Sequence, residues 1–178
     1  MHGVAPGLWD HVSGMAASDA DHDFAHLVGR GLGLPATAIN FADLERNPAD
    51  AINKIDFNTP VETEIAADTA SIDARTVVVV QLGDNAPAGS TDFPAAYAKL
   101  LDAAAKARSL ICVSTWWLNP TKDASIKTAC EAHGGRYVFI GDIYPARQDA
   151  LVQGEDPAVM RHPHDSAMAE IAVRLLAP

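Results

Sequence analysis

The stretch TVVVVQLGDN, from Thr76 to Asn85, determines the fold class of this chain. Residues 76–82 form an apolar run rich in valine, which is typical of a strand covered on both faces by helices. Gly83 and Asp84 follow directly and suit a tight turn. In open parallel sheets the working residues gather just beyond the carboxyl ends of the strands, so this turn is the first candidate site.

Strands and helices alternate on both sides of this run. Apolar residues at helical or strand spacing, together with capping and turn residues, mark the elements. The predicted strands are Thr37 to Phe41, Thr76 to Leu82, Ser109 to Ser114 and Arg136 to Ile140, and the predicted helices run from Ser18 or Asp19 to Gly31 or Gly33, from Asp92 to Ala107, from Pro120 to His133 and from an Asp165 cap to Leu176. This alternation predicts an α/β domain with a parallel sheet.

Length and composition predict a single globular domain over residues 1–178. The chain is 48% hydrophobic and 20% charged, as expected for a protein with one buried core. A formal net charge of −10 repels phosphate backbones, which excludes nucleic acid as a partner. No apolar run approaches the roughly 20 residues that a membrane helix needs, and no secretory signal can be read at the N-terminus. The compartment and the oligomeric state stay open.

Neither the cysteines nor the histidines are spaced in a way that places a complete metal site. Cys112 and Cys130 have no metal-type spacing, and we expect them to be reduced, buried apolar residues, with a disulfide as the alternative. The sequence HDFAH places His22 and His26 four residues apart, a spacing that lets two imidazoles share a metal. Zinc needs three or four ligands, and no third is placed. We therefore predict no cofactor, and a metal-dependent hydrolase stays the weaker alternative.

Three side chains are candidates for function. The Asn85 amide can donate a hydrogen bond to a developing oxyanion, although a Gly-Asp-Asn turn alone needs no function. Trp116, after the third strand, can form a platform for a sugar ring or an acyl group, and core packing explains it equally well. Trp117 should point to the opposite side. His162, in the stretch RHPHDSAM, has a side chain suited to general-base catalysis, whereas a loop histidine before a capped helix is often structural.

Taken together and in order, these blocks resemble the SGNH or GDSL hydrolases, a family of serine esterases with a flavodoxin-like, three-layer α/β/α fold. LGDN matches the Gly-x-Asn block of that family, and RHPHDSAMAEIA matches its last block, where a histidine followed by proline opens the C-terminal helix. INFADLER resembles the second block, and GMAASDADHDFAHLVGRGLG the first helix of a bacterial subgroup. The resemblance implies that Asn85 of the Gly83 block and the backbone N–H of Glu45, where the family usually has glycine, form an oxyanion hole. It also implies that His162 is the base.

The chain departs from the family pattern at two further places. The position three residues before His162 usually holds an aspartate that orients the imidazole, and here it is Val159, with Asp156 as the nearest upstream carboxylate. This implies a dyad held by a backbone carbonyl or another acid. The Gly-Asp-Ser block that carries the nucleophile is absent, and Ser13 and Ser18 follow no apolar strand.

The first strand of the family, which precedes that block, is central in its sheet and would lie between the strands predicted at 37–41 and 76–82. Without it, buried backbone groups would go unsatisfied at about 1–3 kcal/mol each. We therefore expect that Met1 is not the biological start or that another segment fills the gap.

The resemblance implies hydrolysis of a small ester, such as an acetylated carbohydrate, by acyl-enzyme chemistry. The chain as given lacks the nucleophilic serine of that mechanism. A non-catalytic α/β binding protein that has lost the nucleophile is the alternative.

Overall fold

The computed structural model describes residues 16–39, 41–49, 70–146 and 160–178. Two compact units are distinguished within it. The helical unit comprises residues 16–39, 142–146 and 160–178, and the sheet unit comprises residues 41–49 and 70–141. No helix in these ranges is long and apolar enough to cross a membrane. A single domain over the whole chain stays a prediction.

The mixed α/β class and the parallel sheet are confirmed. The elements are α1 (Phe24–Leu32), α2 (Ala42–Arg46), β1 (Val77–Gln81), α3 (Phe93–Ala103), β2 (Ser109–Val113), α4 (Pro120–Ala132), β3 (Arg136–Val138), α5 (Ile143–Ala146) and α6 (Asp165–Leu176). The strands pair in the order β1-β2-β3, with Val79 beside Ile111 and Cys112 beside Tyr137. Each strand is thus parallel to its neighbour, and the carboxyl ends lie at one edge.

The core of the sheet unit follows the predicted apolar spacing. Phe93, Tyr97 and Leu101 of α3 are buried, while α4 packs on α3, β2 and β3. Helix α4 begins at Pro120, as the sequence predicts. The Asn119 side chain caps it by accepting from the Lys122 N–H. The carboxyl ends of the strands are therefore supported by the packed core of the sheet unit.

The expectation of reduced cysteines is wrong. Cys112 of β2 and Cys130 of α4 form a disulfide, with Cα atoms 6.0 Å apart, and neither residue is exposed. This Cα separation lies in the usual disulfide range. The sequence spacing of 18 residues carries no such information, because only the packing of α4 on β2 brings the two side chains together.

The strand predicted from Thr37 to Phe41 is also wrong in the described residues. Residues 37–39 and 41 belong to no strand, Asn40 lies outside the described residues, and α2 begins at Ala42. A strand must find a neighbour for its backbone groups, whereas a helix satisfies them internally. Burial of Leu44 in the core favours the helix.

The helical unit contains both predicted helices, with different first residues. Asp23, and not Ser18 or Asp19, caps α1 by accepting from the His26 N–H, and Gly33 ends the helix with φ 66° as predicted. Asp165 is the first residue of α6, whose N-cap is His164. The predicted apolar stripe of α6 is confirmed except at its end: Ala167, Met168, Ile171, Ala172 and Leu175 are buried, while Leu176 is exposed.

Candidate functional site

The turn after β1 is organised around a buried carboxylate. Glu45 of α2 is only 3% exposed. Its Oε1 accepts from the backbone N–H of Gly83 at 2.6 Å and of Asn85 at 2.7 Å, and its Oε2 accepts from Asn85 Nδ2 at 2.9 Å. A carboxylate can only accept, so it fixes the nitrogen of the Asn85 amide toward Glu45. The amide has a second N–H that this contact does not use, and Asn85 is an exposed residue.

A second carboxylate joins this turn to the residues after β2. Asp84 accepts from the backbone N–H of Trp116 at 3.2 Å and of Trp117 at 3.0 Å, and from Gln81 Nε2 at 2.6 Å. Burial raises the pKa of the Asp84 carboxyl above its ordinary value. The two strand exits are therefore held together by hydrogen bonds to one side chain.

Side chains in the first turn of α4 form hydrogen bonds to the same two strand exits. Lys122 Nζ donates to the carbonyl of Gly83 at 2.8 Å and to that of Ala86. Asp123 Oδ1 accepts from the Thr115 N–H and Oγ1, both at 2.9 Å. Gly83 has φ 126°, and a Cβ there would lie 2.9 Å from Thr115 Cγ2, so glycine is required at this point. The donors and acceptors of this turn are thus held in fixed directions.

Glu45 contributes through a group other than the one predicted. Its backbone N–H donates to the Phe41 carbonyl at 3.2 Å, at the start of α2. An oxyanion role for that N–H would require this hydrogen bond to open. The carboxylate, for which the sequence pattern predicts no role, is the group that reaches Asn85 and Gly83.

The two tryptophans differ in exposure. Trp116 is 0% exposed and belongs to the core, whereas Trp117 is half-buried. Their rings meet edge to face with centroids 6.5 Å apart. Core packing accounts for the burial of Trp116, and its contact with a substrate stays a prediction. Of the two, only Trp117 has a solvent-accessible side chain that a ligand can contact.

His162 lies in the helical unit, in the turn before α6, and is half-buried. Arg161, immediately before it, has φ 72° and is the one non-glycine residue with positive φ in the described part of the chain. Non-glycine residues in this conformation are uncommon and cluster at functional sites. Asp156, the nearest upstream carboxylate, and Val159, at the position where the family has an aspartate, both lie outside the described residues.

His22 and Ser18 lie close together but do not form a triad. Ser18 Oγ donates to Asp165 Oδ2 at 2.7 Å and lies 3.4 Å from His22 Nδ1. The same ring nitrogen is 2.7 Å from Asp19 Oδ1. In a triad, the serine and the acid use opposite ring nitrogens. Ser18, which also donates its backbone N–H to Asp165 Oδ1 at 2.8 Å, instead ties the chain to the start of α6.

His22 and His26 do not share a helix face as predicted. His22 precedes the first residue of α1, and His26 Nδ1 lies 2.8 Å from Asp23 Oδ2, its own helix cap. Within the ranges that the structure describes, no three His, Cys, Asp or Glu side chains are grouped as metal ligands. These histidines therefore serve as local hydrogen-bond partners of neighbouring aspartates.

No protein-family model, curated protein or solved structure matches this chain.

Proposed function

We propose that this chain belongs to an ester hydrolase of the SGNH type and supplies its oxyanion donor and its base. The substrate is a small ester, such as an acetylated carbohydrate, and the reaction passes through an acyl-enzyme. The observation that carries the proposal is the fixed amide of Asn85: three N–H groups of the Gly83–Asn85 turn bind the Glu45 carboxylate, and the second amide N–H of this exposed residue is not used in those contacts.

The chemistry follows from charge development on the ester carbonyl. When a nucleophile attacks, negative charge forms on the carbonyl oxygen, and a donor already aimed at that position stabilises the transition state. The second N–H of Asn85 is that donor. The Glu45 charge is distributed over three hydrogen bonds, and the Lys122 ammonium at the Gly83 carbonyl adds positive charge to the same turn. His162 accepts the proton of the nucleophile and later activates water.

The sheet supports the SGNH-like layering that is part of this proposal. Among the described residues, β1 pairs only with β2, and three of its valines, at 77–79, are half-buried. The other edge of β1 is where the first strand of the family would lie. In this arrangement β1, β2 and β3 are the third, fourth and fifth strands of a flavodoxin-like sheet.

The test is hydrolysis of p-nitrophenyl acetate by two forms of the protein, because no serine of the printed sequence lies in a Gly-Asp-Ser block. One form is this chain, and the other is extended by the sequence encoded immediately upstream. We expect the extended form to be active and His162→Ala to abolish that activity. His164→Ala, two residues away at an exposed N-cap without a side-chain cap bond, is the matched control and should keep full activity.

Two results would overturn the proposal. Absence of turnover in both folded forms would favour a binding protein without a nucleophile. Turnover that survives His162→Ala and is lost with a chelator would indicate a metal-dependent hydrolase.

A further inference from the structure

A solvent-open cavity of about 400 Å³ lies in the sheet unit, lined in part by the segment that follows the Asn85 turn along the chain. One wall is residues 46–49, directly after Glu45, and the other is residues 87–92, directly after Ala86. We name it the Arg46 cavity. Its volume is that of a site for a small ligand, and its position after β1 is where α/β sheets bind ligands.

Arg46 brings an uncommitted positive charge to this cavity. Its side chain is exposed, and in the described part of the chain no carboxylate pairs with it. Arg30, Arg75 and Arg174, by contrast, each form an ion pair with an aspartate. In a chain with a net charge of −10, a cation without an internal partner is a local point of attraction for an anion. Arginine also suits a planar carboxylate, which it can bind with two hydrogen bonds.

The opposite wall adds an acceptor and a rigid turn. Ser90 donates its N–H to the Pro87 carbonyl at 3.1 Å, and Gly89 has φ 71° with open space where a Cβ would be. The Ser90 hydroxyl accepts from the Phe93 N–H at 3.2 Å and so caps α3. Asp92, at the N-cap position, makes no cap hydrogen bond, which leaves its carboxylate as an acceptor for hydroxyl groups.

A second cavity, of about 300 Å³, lies near the amino end of β2 and is lined by Arg108 and His133 among others. Ligands of parallel sheets bind at the opposite, carboxyl edge. The Arg46 cavity, lined in part by the segment that follows β1 and Asn85 along the chain, is therefore the better candidate for a substrate site.

We propose that the Arg46 cavity binds the anionic part of the ester substrate, with a carboxylate on the Arg46 guanidinium and hydroxyl groups on Asp92. This inference rests on the proposed function and narrows its substrate class to esters that keep a free carboxylate, namely O-acylated hydroxy acids and monoesters of dicarboxylic acids. The Asn85 amide then meets the ester carbonyl next to the bound anion. A neutral ester lacks the pairing with Arg46 and binds more weakly.

Two pairs of probes test this assignment in the chain as it exists, with the backbone amides of Gly89 and Ser90 followed by ¹H–¹⁵N NMR. Glucuronate and glucose differ by a carboxylate on a sugar, and monomethyl and dimethyl succinate differ by a carboxylate on an acyl chain. We expect saturable shifts of both amides with at least one anion and none with its neutral counterpart. The anion that binds tells which part of the ester carries the charge.

Substitution of the arginine separates specific from general attraction. Arg46→Gln should weaken binding of the anion by roughly tenfold or more, the effect of losing one charged hydrogen bond. Arg75→Gln is the matched control, because Arg75 lies in the same unit, is 91% exposed and pairs with Asp73. It removes the same charge and should change nothing. The spectra also report whether each variant is folded.

Absence of anion-dependent shifts, or equal binding by Arg46→Gln and the original chain, would overturn the inference whatever the hydrolysis assay gives. Binding that depends on Arg46, in a protein without esterase activity in either form, would instead overturn the proposed function. It would leave an anion-binding cavity of another purpose. The two failures are thus distinguishable.

Discussion

The carboxylates of this protein occupy two contrasting environments. At the carboxyl edge of the sheet, Glu45 and Asp84 accept mainly backbone N–H groups and hold two strand exits in place. Around the start of α1, Asp19 and Asp21 lie at the surface and pair with His22 and Arg30. Buried charges are strongly destabilising when a partner is lost, whereas exposed pairs contribute little. The difference indicates that the sheet edge is built to keep a fixed geometry.

The largest expected effect on stability comes from the disulfide beneath the sheet edge. Replacing Cys112 and Cys130 together by alanine should lower the free energy of unfolding of the sheet unit by about 3 kcal/mol, because the disulfide closes a loop and restricts the unfolded chain. Urea unfolding followed by tryptophan fluorescence measures it, with Trp116 and Trp117 in the sheet unit as reporters. Addition of a reductant to the original chain is the control and should reproduce the loss. A difference near zero would show that the edge does not depend on the cross-link.

The buried and exposed carboxylates can be compared directly. Glu45→Gln places an amide nitrogen opposite Asn85 Nδ2, and the two donors repel, so we expect a loss of about 1–3 kcal/mol in the free energy of unfolding. Asp21, whose side chain is 87% exposed, pairs with Arg30. Asp21→Asn removes this exposed pair and should lower the free energy of unfolding by less than about 1 kcal/mol. Urea unfolding of the two variants measures the difference. Equal losses would remove the basis of the contrast.

The pH dependence of the two environments should have opposite sign. Burial raises the pKa of Asp84, so the folded state keeps that proton as pH rises above the ordinary value of 3.8, and its contribution to stability falls as pH rises through this window. The hydrogen bond from His22 lowers the pKa of Asp19. Its contribution is present above 3.8 and is lost as pH falls through the folded pKa.

Carboxyl ¹³C NMR titration follows each aspartate separately. The midpoint of Asp84 should lie above the ordinary value and that of Asp19 below it. We therefore expect Asp84 to titrate at a higher pH than Asp19. The reverse order would contradict the assignment of buried and exposed environments.

The smallest effect is expected at Ser18. Ser18→Ala removes one exposed hydrogen bond to Asp165 and should cost at most about 1 kcal/mol. Because His22 Nδ1 is already engaged by Asp19, the variant should leave ester hydrolysis unchanged. Urea unfolding and the p-nitrophenyl acetate assay check the two parts. A large fall in turnover would identify Ser18 as the nucleophile and contradict the geometry of this cluster.

The sequence predicts what depends on local pattern. Three features could be predicted from a few neighbouring residues. These are the strand β1 from its valine run, the buried face of α3 from the spacing of Phe93, Tyr97 and Leu101, and the end of α1 from its glycine. The disulfide and the helix at Ala42 depend on contacts between distant segments, which periodicity does not encode.

The same limit applies to the site. Asn85 is identified from its turn, but the carboxylate that orients it belongs to α2, which lies 40 residues earlier. Glutamate after an apolar residue reads as an ordinary helix surface position. The role of Glu45 therefore becomes visible only in three dimensions.

The measurement that tests the central claim most directly is the kinetics of Asn85→Ala in the form of the protein that hydrolyses p-nitrophenyl acetate. Loss of one preorganised oxyanion donor should lower kcat by about 10²–10³-fold, with little change in KM. His164→Ala, at the exposed N-cap of α6, serves as the control and should leave kcat unchanged. A kcat within about twofold of the original, a difference of less than about 0.5 kcal/mol in the barrier, would contradict the assignment of Asn85 as the oxyanion donor.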